Sequence, residues 1–450
     1  MFVNRILCVL SFIYAVKGDY AVPSLTLEAL KKGGFRVYIP DVPGTALFAF
    51  HANINDNIRA QHPGSVNGEA RTPTNGFWIL EFNDKLKQGD VVNYWLFVNA
   101  NHLGYRKDGE PIKITRLLDA YTELKGRCEP GSTVINGGKA TCVDNVIFQD
   151  KFDGSTINTM LWKVEHRIPT YSEPNSPFNS YENREDTKFI KDNKLHLKPN
   201  AVPESDVRGT LNLREGCTGT KEIECFYEQR SSFLLPPVKA SKVVSTTSFK
   251  YGKVEIRAKL PRGDWIFPIV QLEFAQRDIA NPSKIWIAYS RGNTKLIMSD
   301  PNDIDVRGFS GTDIGGRLLL AGPTLEEREP QRSKRLVHKY ADQPFSDDYH
   351  TYGLVWTKDQ MRFYVDSEEY GSVDLSTENL DRECVLSLGV GVGGLFDFPE
   401  GTYSGSNYKP WSNEDRNAIK RFFEKKPIWV QTWDDEKSCL IVDHVQITAV

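Results

Sequence analysis

The 450-residue chain has no apolar run near the ~20 residues that a membrane-spanning helix needs, so no span is expected. A net charge of −3 gives no field to gather nucleic acid or an anionic membrane, and neither is expected as a partner. Seven cysteines occur without a Cys-x-x-Cys or a Cys/His cluster of ligand spacing, so neither metal nor cofactor is expected. No Asn-x-Ser/Thr acceptor exists, which removes N-glycosylation. Long helical periods are also scarce, and only 413–424 carries a convincing one.

Short alternating apolar runs between Gly- and Pro-rich turns indicate an all-β protein. Arg5 followed by a largely apolar stretch at 6–16 and Val16-Lys17-Gly18 reads as a signal peptide over 1–18, hence a secreted, extracellular product. Strands are expected at 35–39, 46–50, 76–82 and 91–98, within a small immunoglobulin-like β-sandwich over 19–120. A linker over 121–144 follows, with a short helix expected at 114–124, and a larger domain fills 145–450. Without Cys8, six cysteines remain, and six allow 15 connectivities. Proximity suggests Cys128–Cys142 and Cys217–Cys225, leaving Cys384 with Cys439. The charged run at 326–335 reads as a solvated loop, with protease sensitivity as the alternative.

A set of separated motifs runs through the larger domain: Tyr251-Gly252-Lys253-Val254-Glu255-Ile256, Gly263-Asp264-Trp265-Ile266-Phe267-Pro268, Ser290-Arg291-Gly292-Asn293 and His350-Thr351-Tyr352-Gly353. Leu388-Gly389-Val390-Gly391 and the closing Leu440-Ile441-Val442-Asp443 complete it. In order and spacing this resembles glycoside hydrolase family 16, which implies a β-jelly-roll (concanavalin-like) sandwich. The family writes three carboxylates on the strand before Ser-Arg-Gly-Asn; here Lys284, Trp286 and Tyr289 stand at those places. A retaining glycosidase needs two carboxyl groups ~5–5.5 Å apart. An ammonium, an indole and a phenol of reference pKa ~10 cannot replace them, so no catalytic residue is expected. Positions 284 and 286 share a strand face, and 289 joins them only through a β-bulge. Trp286 would then be a stacking platform or a plug. Glu273 is the alternative carboxylate should the chain hydrolyse glucan, and His350 reads as a hydrogen-bonded structural residue.

The first domain carries Ile39-Pro40-Asp41, Leu47-Phe48-Ala49-Phe50-His51, Asn53-Ile54-Asn55, Gly76-Phe77-Trp78, Tyr94-Trp95 and Leu103-Gly104-Tyr105-Arg106. These resemble carbohydrate-binding module family 39, and the whole architecture resembles arthropod β-1,3-glucan recognition proteins. The resemblance implies a secreted haemolymph protein that binds β-1,3-glucan and triggers serine-protease cascades. Lipopolysaccharide and lipoteichoic acid are the broader ligands it implies. Sugar faces stack on aromatic rings while hydroxyls need fixed donors and acceptors. The implied contacts are Trp78, as an exposed ring, and Asp41, with His51 and Asn53 as lesser candidates; read from the residues alone, alternation puts Trp78 in the core and Asp41 braces its turn. Trp265 either lines a remnant cleft or packs the sandwich edge.

Overall fold

The computed structural model describes residues 22–450 apart from 43, 60, 75, 101–102, 123, 125–129, 139, 171–172, 174, 230–232, 277–282, 299–310, 327, 329–330 and 376–379. The expected signal segment and Cys128 therefore lie outside the described residues. The chain forms two compact units, 1–128 and 129–450.

In the first unit, β1 (Thr26–Ala29), β2 (Phe35–Pro40) and β5 (Phe77–Phe82) form one antiparallel sheet. A second sheet takes the order β4 (Val66–Ala70), β3 (Thr45–Ile54), β6 (Val91–Ala100), β7 (Leu103–Asp108). Side chains alternate along each strand, so Phe35, Val37 and Ile39 from β2 meet Phe48, Phe50 and Ala52 from β3 and Leu96 and Val98 from β6 in a closed core. This is the expected β-sandwich. The helix expected at 114–124 does not form, and among the described residues there Leu118 instead bridges to Leu30. Ile114 and Leu117 pack on the core of the first unit from non-helical backbone, so burial is achieved without the helix.

The expected linker is also corrected. Strands Pro130–Ile135 and Ala140–Cys142 join the second unit, the former pairing with Lys242–Lys250. Apolar Val134 and Ile135 give this segment a β edge that the Gly-rich composition disguised. The second unit stacks a nine-stranded sheet on an eight-stranded one, the layout of a jelly-roll sandwich. Strands Ile266–Phe274, Cys384–Val392 and Gly252–Lys259 are its centre, where Val254, Ile256, Val270, Leu272, Leu386 and Leu388 are buried between the sheets. The helical stretch near the C-terminus is Ala418–Glu424 followed by Lys426–Trp429.

Cys217 and Cys225 are disulfide-bonded, and Cys142 is also in a disulfide. The third expected bridge is wrong: Cys384 and Cys439 are free and buried. Cys384 opens a strand of the nine-stranded sheet, whereas Cys439 precedes Leu440–Thr448 in the other sheet, so the two thiols belong to different layers. Burial raises both thiols, Cys439 up to about 12, which keeps them unreactive. Alkylation without reductant, mapped by mass spectrometry, should leave both unmodified in the native protein and label both in denaturant. A Cys384–Cys439 peptide would contradict this.

Candidate functional sites: a filled cleft and a polar aromatic sheet face

Strand Lys284–Tyr289 pairs with Ile266–Phe274 on one side and Leu318–Thr324 on the other. Ile285 and Ile287 point between the sheets, which leaves Lys284 and Trp286 on the opposite face. The pairing register shifts between Trp286 and Tyr289, and the two rings stack with centroids 4.1 Å apart and planes within 7°. The bulge thus brings all three substituted positions together. None can act as the nucleophile or acid of a glycosidase: burial raises the Tyr289 hydroxyl well above its ordinary value, and Asp397 adds to this.

The surrounding side chains fill this place. Arg332 lies 5.0 Å over the Trp286 ring and pairs with Asp397 at 2.6 Å, both partners almost fully buried. Tyr289 donates to Asp397 Oδ1, Arg291 Nε donates to the Asp397 carbonyl, and Asn175 reaches Oδ2. Burial raises the Asp397 carboxyl, but Arg332 and Lys284 outweigh it and hold the group below the usual carboxylate range. Trp286 is only 4% exposed, so of the two roles open to it the geometry supports a plug.

Glu273 stands beside this cluster. Its carboxylate takes Lys242 Nζ at 2.7 Å and Gln271 Nε2 at 2.8 Å, while Lys242 also lies 3.3 Å from Glu165. Burial raises Glu273, yet Lys242 more than offsets it and keeps the acid ionised. Glu165 is itself bound by Arg167 Nε at 2.6 Å. A proton donor to a glycosidic oxygen needs the opposite tuning, a raised pKa. His350 is held by Asp366 at 2.6 Å, as a structural histidine.

The first unit places its four candidates in two separate pairs. Trp78, on β5, faces the core at 2% exposure and donates from Nε1 to Asp41 Oδ1 at 2.7 Å. Its ring is not the exposed platform that resemblance implied: inward alternation on β5, opposite Ile39 of β2, buries it. Asp41 is accordingly an indole acceptor, raised by burial and lowered by that hydrogen bond.

His51 and Asn53 belong to the other sheet. Asn53 braces a loop, accepting from Ser65 N and donating to the Asn57 carbonyl. His51 stacks on Trp95, its cross-strand partner, at 3.9 Å and 14°. From the next strand Arg106 lies 4.5 Å over the same indole. Imidazole, indole and guanidinium thus form a row across β3, β6 and β7, with Glu69 and Asn67 on β4 beyond it. Burial holds His51 below its ordinary pKa and Arg106 adds to that, which favours the neutral ring in the stack. Trp95 and Arg106 were missed as site residues, although both stand in quoted motifs. Their signal was the pairing of β3, β6 and β7, which puts residues 51, 95 and 106 on one face.

Trp265 immediately precedes the strand Ile266–Phe274 and is 2% exposed. It packs on Phe398, which packs on Phe267, which packs on Tyr289, so it is linked to the filled cleft through other rings. Among the described residues no group of His, Cys, Asp and Glu could hold a metal ion.

The sequence profile CBM39, described as "Carbohydrate binding domain (family 32)", matches residues 21–130, and that of glycosyl hydrolases family 16 matches 328–382. A β-1,3-glucan-binding protein of Hyphantria cunea is 31% identical over 98% of each chain. One of Tenebrio molitor is 30% identical over 96% of this chain and 97% of its own, and Gram-negative bacteria-binding protein 2 of Drosophila melanogaster is 28% identical over 96% and 95%. Among solved structures, an endo-β-1,3-glucanase of Pyrococcus furiosus aligns at 16% identity and a TM-score of 0.43, covering 70% of this chain and 97% of its own. With relatives of this identity matched along nearly its whole length, the chain belongs to the family of β-1,3-glucan-binding and Gram-negative bacteria-binding proteins.

Proposed function

We propose that this protein is a secreted, non-catalytic recognition protein that binds β-1,3-glucan of microbial walls and leaves it intact. The observation that carries the reading is the filled cleft. Where hydrolysis would require a carboxylate pair, Trp286, Tyr289, Arg332 and Asp397 pack on one another and the nearby Glu273 is held ionised in an ion pair with Lys242. Glucan contact falls to the outward face of β3, β6 and β7. There the edges and tips of His51, Trp95 and Arg106 offer apolar surface beside hydrogen-bonding groups, the combination a pyranose ring needs. Recruitment of serine proteases, and binding of lipopolysaccharide or lipoteichoic acid, belong to the same proposal by way of the family. Among the described residues no helix is long and apolar enough to cross a membrane.

Retention on insoluble curdlan, with chitin in parallel, tests the reading. Curdlan should hold the protein and chitin should not; equal retention on both overturns it. Trp95→Ala removes the centre of the row and should weaken curdlan binding by ~1–2 kcal/mol, about five- to thirtyfold. An unchanged isotherm for folded Trp95→Ala protein moves the site elsewhere.

A further inference from the structure

The second unit carries a pocket that the filled cleft does not use. It holds about 340 Å³ and lies between the hairpin Thr402–Ser404/Asn407–Tyr408 and the segment 425–429. That volume sits at the lower end of the roughly 300–1,000 Å³ seen for small-molecule sites. Trp265 and Trp429 form its inner wall, and Tyr408, 70% exposed, stands at its mouth with Ile428.

The inner wall is held in an unusual backbone. Trp265 has φ +65°, a region that bulky residues avoid. It is kept there from several sides: Asn293 Oδ1 accepts from its N–H, Thr432 Oγ1 accepts from the Asp264 N–H, and Trp433 Nε1 donates to the Asp264 carbonyl. Gly263 is required beside it, because a Cβ there would come within 2.8 Å of the Trp433 ring. Strain of this kind, over-determined by its surroundings, gathers at ligand sites.

The polar groups are equally specific. Asp264 is 6% exposed, and both side-chain hydrogen bonds it accepts, from Asn293 Nδ2 and Ser404 Oγ, land on Oδ1. No donor to its Oδ2 is found among the described residues, although this carboxylate lines the pocket. Lys425, an exposed residue of the lining, makes no ion pair among them either. A buried acceptor, an exposed cation and a flat exposed ring lining one pocket suit a ligand with one apolar face and a fringe of hydroxyls.

We propose that this pocket is a second saccharide subsite, which takes the end or an exposed segment of a glucan chain, with Tyr408 as stacking ring, Asp264 as acceptor of sugar hydroxyls and Lys425 as donor. The inference rests on the glucan-binding reading but not on the sheet face of the first unit. Two subsites on one chain would raise retention on polymer through effective concentration, without tight binding at either.

The test is titration of the full-length protein with laminarihexaose, followed by tryptophan emission and by calorimetry. Trp265 and Trp429 wall the pocket, so ligand should change the emission. Tyr408→Ala should weaken this hexasaccharide signal roughly tenfold, Lys425→Ala less, and Tyr408→Phe should restore it. A Tyr408→Ala protein that titrates like wild type overturns the subsite, and so does a wild type that holds curdlan yet gives neither emission change nor heat. Failure of wild type on curdlan would instead remove the glucan reading beneath it.

Discussion

Replacing Asp397 by Ala should destabilise the second unit by ~3–5 kcal/mol, the cost of removing one member of a buried ion pair. The loss should exceed that of any exposed ion pair in the molecule, such as Lys339–Glu368, because exposed pairs contribute only ~0–1 kcal/mol. Asp397→Asn keeps the shape and the contact with Tyr289 but removes the charge, and should fall between. The pH dependence follows from the direction of the shift. A carboxyl held below its unfolded value of 3.8 contributes stability above that pH, and the contribution is lost as pH falls through the lower folded value. The acid limb of the urea-midpoint curve should therefore flatten in Asp397→Asn. Equal midpoints for wild type and Asp397→Ala would mean that the cluster does not hold the cleft shut.

Trp78→Ala should act first on folding. Emptying a buried indole site costs ~3–5 kcal/mol, enough to unfold a small β-sandwich. The informative variant is Trp78→Phe, which keeps most of the volume but removes the donor to Asp41. It should cost ~1–3 kcal/mol, because the partly buried carboxylate loses its hydrogen bond. Glucan retention by folded Trp78→Phe protein should match wild type. Loss of retention at unchanged stability would return Trp78 to the binding site and contradict its placement in the core.

Much of the fold was legible because alternation is a local signal. The strands of the first unit follow the runs around Phe35, Phe50 and Val98, and the central strands of the second follow theirs. The substitutions at 284, 286 and 289 were also legible, including the need for a bulge to align the third. What filled the space was not. Arg332 lies in a charged run that reads as solvated, and only the tertiary packing brings it onto Trp286 and Asp397. The strand at 130–135 was hidden for a related reason: its β character depends on a partner, Lys242–Lys250, more than a hundred residues away. Trp78 shows the converse error. Strand alternation by itself favours the core at Trp78, and the resemblance alone turned the ring outward; one residue of register separates the two faces. The free pair Cys384 and Cys439 failed on the same ground, since elimination among six cysteines says nothing about which sheet each occupies.

The central claim is that the protein holds glucan without cutting it, the cleft where cleavage would occur being filled and without its carboxylate pair. Its most direct test is prolonged incubation of the full-length protein with laminarin, followed by a count of new reducing ends, alongside a curdlan-retention measurement on the same preparation. The account predicts retention with no reducing ends above a protein-free blank. Oligosaccharide release that rises with protein concentration would contradict it.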